Sequence, residues 1–161
     1  MRRCLTGLLV LLALVALPSL TAAQDCRYHK VKFEFKTQTW IEPGYEGFDA
    51  CIEVPKIVGT INGSYLECFN WSDWIPSPLL YGDAFWQIFA VKITSWIQTD
   101  KGDLELREWL WWDDDIPVEA GFAKIVGGSG DFEGAYGTLT YMTRSPADGE
   151  AGFMEGYVCT P

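Results

Sequence analysis

The sequence predicts an all-β domain in which roughly eight short antiparallel strands close into a barrel or stack as a sandwich. Segments that alternate apolar and polar residues follow one another down the chain, most plainly VKFEFKTQT at 31–39. Glycine-rich corners separate them, the densest being IVGGSGDFEGAYG at 125–137. Past the first 23 residues no stretch keeps a helical period. Closure into a barrel would also leave no exposed strand edge.

Residues 1–23 stand apart. Met1-Arg2-Arg3, the apolar run CLTGLLVLLALVALPSL and the small residues TAA have the layout of a secretory signal peptide. Pro18 and Ser19 interrupt the run, which falls short of the ~20 residues a membrane span needs. Cleavage after Ala23 leaves residues 24–161, 138 residues in all, the size of a single domain with its own core. The expected product is secreted and free of the membrane. Loss of Arg2 and Arg3 moves the formal charge from −10 to −12, so nucleic acid and anionic lipid are not expected as partners.

In the remaining chain, Val31, Phe33, Phe35, Thr37 and Thr39 share one face against Lys32, Glu34, Lys36 and Gln38, the pattern of a half-buried strand. IEPGYEGFD supplies a turn. ACIEV and KIVGTINGSYLECF read as a hairpin about Pro55 and Lys56, with Gly59 and Gly63 marking bends. Residues 70–84, NWSDWIPSPLLYGDA, carry Pro76 and Pro78 without any period and read as a surface loop or flap. The longest strand pair, AFWQIFAVKITSWIQT and LELREWLWW, is joined by DKGD with Gly102 in the turn. AGFAKIV, GAYGTLTYMTR and AGFMEGYVCT complete the set.

Cys4 leaves with the signal, and Cys26, Cys51, Cys68 and Cys159 remain, an even number in an oxidising compartment. Four cysteines allow three pairings. If the first and last strands are neighbours, as in a closed barrel, Cys26 can pair with Cys159 and leave Cys51 for Cys68. A zinc site is the alternative, but the spacings are wide and His29 is the sole histidine. No metal is expected.

The glycines Gly127, Gly128, Gly130, Gly134 and Gly137 invite comparison with a phosphate-binding loop. Such a loop opens a helix, and its lysine form ends in Gly-Lys-Ser/Thr. Here TLTYMT follows, β-branched and alternating, so the glycines are expected to form a strand-to-strand corner. IVGGSGDFEGAYGTLTYM resembles the GGTGxFxGAxG signature of the barrel family that holds allene oxide cyclases and plant dirigent proteins. The likeness covers roughly residues 57–66 and 85–158 and is sharpest at 125–141, with Ser129 where threonine is usual and Tyr136 where a small residue is commoner. It implies an eight-stranded up-and-down barrel around an apolar cavity, without metal and often trimeric. The family's cyclases close a fatty-acid epoxide, and its dirigent members steer phenolic intermediates with pocket acids. None of those acids lies in the motif, so no catalytic residue transfers.

Candidate chemistry comes from the strands themselves. Glu108 interrupts the apolar row Leu104, Leu106, Leu110, Trp112. In a lumen it would be desolvated, which raises a carboxyl pKa and suits a general acid or an electrostatic guide; at a barrel mouth or beside Arg107 it would be structural. Gln87 and Ser95 interrupt the row Phe85, Phe89, Val91, Ile93, Ile97. With Phe33, Phe35, Phe89 and Leu106 they are the expected ligand contacts. Trp86, Ile88, Ala90, Trp96, Trp109 and Trp111 occupy the opposite faces. Those faces therefore need a cover, either the 70–84 segment or another copy of the chain.

Trp71 and Trp74, or Trp111 and Trp112, are the candidate platforms for a sugar ring. Asp113, Asp114 and Asp115 lack the spaced oxygens of a calcium loop and read as a solvated turn. Asn62-Gly63-Ser64 and Asn70-Trp71-Ser72 match the N-glycosylation pattern, Asn70 being favoured because Asn62 falls in an expected strand. A single histidine and oxidised cysteines disfavour triad hydrolases, and no cofactor motif is present. The expected function is binding or guiding a small hydrophobic molecule, with a cofactor-free isomerase and a glycan binder as alternatives.

Overall fold

Eight antiparallel strands close on themselves in the computed structural model, which describes residues 25–33, 38–45, 47–76, 88–113, 118–144 and 152–161. The strands are β1 (Asp25–Phe33), β2 (Thr39–Ile41), β3 (Ala50–Gly59), β4 (Gly63–Phe69), β5 (Ile75–Pro76), β6 (Ile88–Thr99), β7 (Gly102–Asp113), β8 (Val118–Gly128), β9 (Tyr136–Arg144) and β10 (Phe153–Thr160). The wall runs β1-β10-β9-β8-β7-β6-β4-β3 and returns to β1 through Val31 opposite Gly59 and Phe33 opposite Ile57. Two short strands extend it at one end. There β2 lies along β3 beyond β1, and β5 lies along β6 beyond β4.

Alternation decides which side chains fill the interior. Val31, Phe33, Tyr65, Ile97, Leu106, Leu139 and Met154 are all at most 1 % exposed, and their strand neighbours face outward. Both cysteine pairs join residues directly opposite each other: Cys26 with Cys159 across β1 and β10, and Cys51 with Cys68 across β3 and β4. The first ties the two terminal strands of the barrel together. The second lies on the outer face yet is fully buried, close to where Phe48 packs edge-on against Trp96 at 6.2 Å.

The glycine run forms a corner. After β8, a 3-10 turn at Gly130–Phe132 leads into β9, and no helix follows Gly137. Gly130 sits at φ +59°, and a Cβ there would lie 2.2 Å from the Lys101 carbonyl oxygen. The corner is clamped onto the β6–β7 hairpin: Asp131 N donates to Lys101 O at 2.9 Å, and Asp103 N to Ser129 Oγ at 3.0 Å. Buried Ile61 and Ala135 belong to the core at this end.

Three element boundaries differ from the sequence expectation. Pro55 and Lys56 are not a hairpin turn, because β3 runs through them as a bulge between Val54 and Ile57; a bulge tolerates proline because the ladder needs no N–H from it. The turn falls at residues 60–62 instead, which places Asn62 in an exposed turn rather than a strand. The first strand begins at Asp25, and of the strand expected over 31–39 the structure shows β1 as far as Phe33 and β2 from Thr39, residues 34–37 lying outside the described ones. In the segment after Asn70, expected as a loop, a 3-10 turn at Trp71–Asp73 precedes β5, and residues 77–84 lie outside the described ones.

Candidate functional site

β4 carries Tyr65, Glu67 and Phe69 on its inner face, with Cys68 turned outward into its disulfide. Register sets Glu67 opposite Ser95 of β6, and Glu108 of β7 lies opposite Ile93, one residue pair further round the wall. On the far side, β8 brings Glu119 and β9 brings Tyr141, with Gly121 opposite Tyr141. Five polar groups from four strands therefore meet inside an otherwise apolar interior, together with Ser95.

Glu108 is 2 % exposed. Its Oε1 accepts hydrogen bonds from the Tyr65 hydroxyl at 2.8 Å and from Ser95 Oγ at close range. The Tyr65 hydroxyl oxygen is also 2.8 Å from Glu67 Oε2. A phenol owns one proton and cannot donate it twice. Both contacts are hydrogen bonds only if one carboxyl is protonated and donates to the phenol oxygen. Glu108 already accepts from Ser95, so the arrangement that satisfies every group has Glu67 protonated, donating to Tyr65, which donates to ionised Glu108.

Electrostatics agree with that order. Burial, reinforced by Glu108 and Glu119, pushes Glu67 up to about 8. Burial also raises Glu108, to about 7, while the bonds from Ser95 and Tyr65 hold it back. Glu119 is raised by burial against the opposing effect of the Tyr141 hydroxyl, which donates to its Oε2 at 3.2 Å. Both phenols titrate well above their ordinary value, first because they are buried. Phe33 packs edge-on between them, 4.8 Å from Tyr65 and 5.8 Å from Tyr141 between ring centroids.

Above these groups lies a cavity of about 190 Å³, at the end of the barrel opposite the glycine corner. Glu67, Glu119 and Tyr141 border it, with Ile52, Val91, Ile93 and Leu110 as apolar wall and Trp40, Phe69, Trp74 and Gln38 toward the rim. Trp71 joins that rim cluster, 5.2 Å from Phe69 and 5.6 Å from Trp74. A larger hollow of about 400 Å³ lies at the glycine end, bordered by Asp25, Arg27, His29, Lys101 and Asp131. It is a surface groove of mainly exposed side chains and gathers no buried polar group.

The sequence candidates divide accordingly. Glu108 and Ser95 are brought together, buried in the lumen. Phe33 and Leu106 are fully buried core residues beneath the cavity and are not among those that line it. Phe89 pairs with Trp112 and Pro76 through its backbone, and its side chain lies outside what the structure describes, as do Phe35, Gln87, Asp114 and Asp115 entirely. Asn70 Oδ1 accepts from Asp49 N at 3.0 Å and the residue is half-buried, whereas Asn62 is exposed.

Glu67, Tyr65, Glu119 and Tyr141 were missed by the sequence reading. The signal for Glu67 was present, since Tyr65, Glu67 and Phe69 alternate with Ser64, Leu66 and Cys68 as the Glu108 row does. No protein-family model matches the chain, and no curated protein matches its sequence.

Proposed function

We propose that this is a secreted barrel of the allene oxide cyclase and dirigent type that binds a small, largely apolar molecule and fixes its conformation. One observation carries the reading: a cavity with apolar and aromatic walls ends on hydrogen-bonded carboxyl and phenol groups. Such a site buries a ligand's apolar body and orients its polar end. The closed eight-stranded wall and the glycine corner between β8 and β9 support the family assignment. A second copy of the chain is the proposed cover for the apolar outer face.

Native mass spectrometry of the protein purified from its source tests the binding reading. A retained small molecule is expected, and its loss on replacing Ile93 by Trp, which fills the cavity, would locate it. A protein that emerges bare, and whose tryptophan emission no small molecule alters, would overturn it.

A second reading, a cofactor-free isomerase, is favoured by the Glu67–Tyr65–Glu108 chain. Glu67 borders the cavity and carries the proton, while Tyr65 and Glu108 lie behind it and could restore that proton after transfer. Glu108→Gln, behind the cavity, would then abolish turnover of an epoxide or phenolic substrate while leaving binding intact, and Glu67→Gln would abolish turnover as well. A parent protein that turns over neither class leaves the binder alone.

A further inference from the structure

The cavity's polar contacts are one-sided. Glu67 enters from β4 and Glu119 from β8, and no lysine, arginine or histidine lines the cavity among the described residues. Around the rim, aromatic rings sit within contact of one another: Trp40 is 5.7 Å from Phe69 and Phe69 5.5 Å from Trp74. Carboxyls below and rings above share one electrostatic preference. An aromatic face presents its negative side to a charge and attracts cations, as the rings that enclose quaternary ammonium groups do.

On the reading that this cavity is the ligand site, we infer that it takes a small organic cation: an ammonium head between Glu67 and Glu119, with an apolar or aromatic body against Trp40, Phe69 and Trp74. An anionic ligand, such as a fatty acid, would add a like charge to a site with no basic counterpart among the described residues. A neutral ligand would gain no ionic partner from Glu67 or Glu119. Size sets a further limit. The cavity, about 190 Å³, is small and suits an ammonium carried on a single ring or short alkyl body.

The proton arrangement gives this inference a signature. Without ligand, Glu67 holds a proton that it donates to Tyr65. Among the described residues the groups facing it are Tyr65 on its own strand, Ser95 on β6, Glu108 on β7, Glu119 on β8 and Tyr141 on β9, none of them cationic. An arriving ammonium stabilises the carboxylate, so Glu67 ionises. R–NH3⁺ and Glu67–COOH become an R–NH3⁺···⁻OOC pair, and one proton passes to solvent. A neutral ligand triggers no such release.

Isothermal titration of the full mature chain at pH 7 with 2-phenylethylamine, 3-phenylpropan-1-ol and phenylacetate, in phosphate and in Tris, tests this. The amine is expected to bind at least about tenfold more tightly than the alcohol, with up to one proton released as read from the difference between buffers. Phenylacetate is expected not to bind. Glu67→Gln should remove the proton release and cut the amine's advantage over the alcohol about tenfold or more. Glu119→Gln should weaken the amine selectively, and circular dichroism checks that both variants fold. Alcohol or phenylacetate binding as tightly as the amine would overturn the cation assignment and leave the cavity reading standing. No binding by any of the three would overturn both.

Discussion

Tyr65 has a single proton to share between two carboxyls, and that shortage governs how the site responds to pH. Glu67 and Glu108 titrate at about 8 and about 7 in the folded chain, against an ordinary 4.5. Between those values the folded state binds more protons than the unfolded one, so the unfolding free energy falls as pH rises. What the neutral forms contribute is fully present below 4.5 and is lost as pH passes 7 and 8. The melting temperature is therefore expected to be higher at pH 5 than at pH 9 by about 5 °C or more, taking ~2–6 °C per kcal/mol for a chain of this size. Glu67→Gln, a neutral isostere, should flatten the profile. A variant that keeps the parent's slope would mean the proton does not reside there. Glu108 was legible because its apolar row is long and unbroken. Glu67 sits on a short strand whose outer face is also apolar through Leu66 and Cys68, so its row did not stand out. The link between the two acids depends on inter-strand register, which no local pattern encodes.

Among the elements, the glycine corner was legible in kind, because β-branched alternation after Gly137 excludes a helix whatever the glycines do. What the sequence could not reveal is which glycines the fold requires. Gly130 needs both its positive φ and the space against Lys101 O, while a Cβ on Gly127 would meet nothing closer than Glu105 Oε2 at 3.8 Å. Gly130→Ala is expected to cost ~2 kcal/mol or more, from backbone strain added to a clash with main chain. Gly127→Ala should stay within about 0.5 kcal/mol of the parent. Urea midpoints for the two variants check this, and equal losses would show that the corner is not clamped as described. Pro55 carried the opposite lesson. Proline and lysine between two apolar runs read as a turn, yet β3 passes through them, because a bulge gives proline a place where no hydrogen bond is missed. Cross-strand pairing with β4 outweighed the local turn signal.

At the scale of the molecule, the outer wall poses the remaining question. Trp109 stacks on Phe122 with 5.0 Å between ring centroids, Trp111 lies 6.1 Å from the same ring, and Met142 is half-exposed on β9. These residues lie side by side because Trp109 is opposite Phe122, and Ala120 is opposite both Trp111 and Met142. Of the doubly apolar hairpin foreseen from sequence, the inner residues Val91, Ile93, Ile97, Leu104, Leu106 and Leu110 build the core, Trp96 on the outer face packs against Phe48, and Trp109 and Trp111 remain exposed. A contiguous exposed apolar face calls for a partner, and another copy of the chain is the proposed one. The acidic balance of the chain, formally −10, opposes that association, and salt relieves the repulsion without weakening apolar contact. Light scattering should therefore give a mass above one protomer that grows as salt is raised from 50 to 500 mM. Phe122→Glu should return it to one protomer with the barrel's circular dichroism unchanged, since the ring faces outward. A parent protein that stays at one protomer's mass throughout that range would remove the proposal, and the Trp109–Phe122 stack would then be only local packing on an exposed wall.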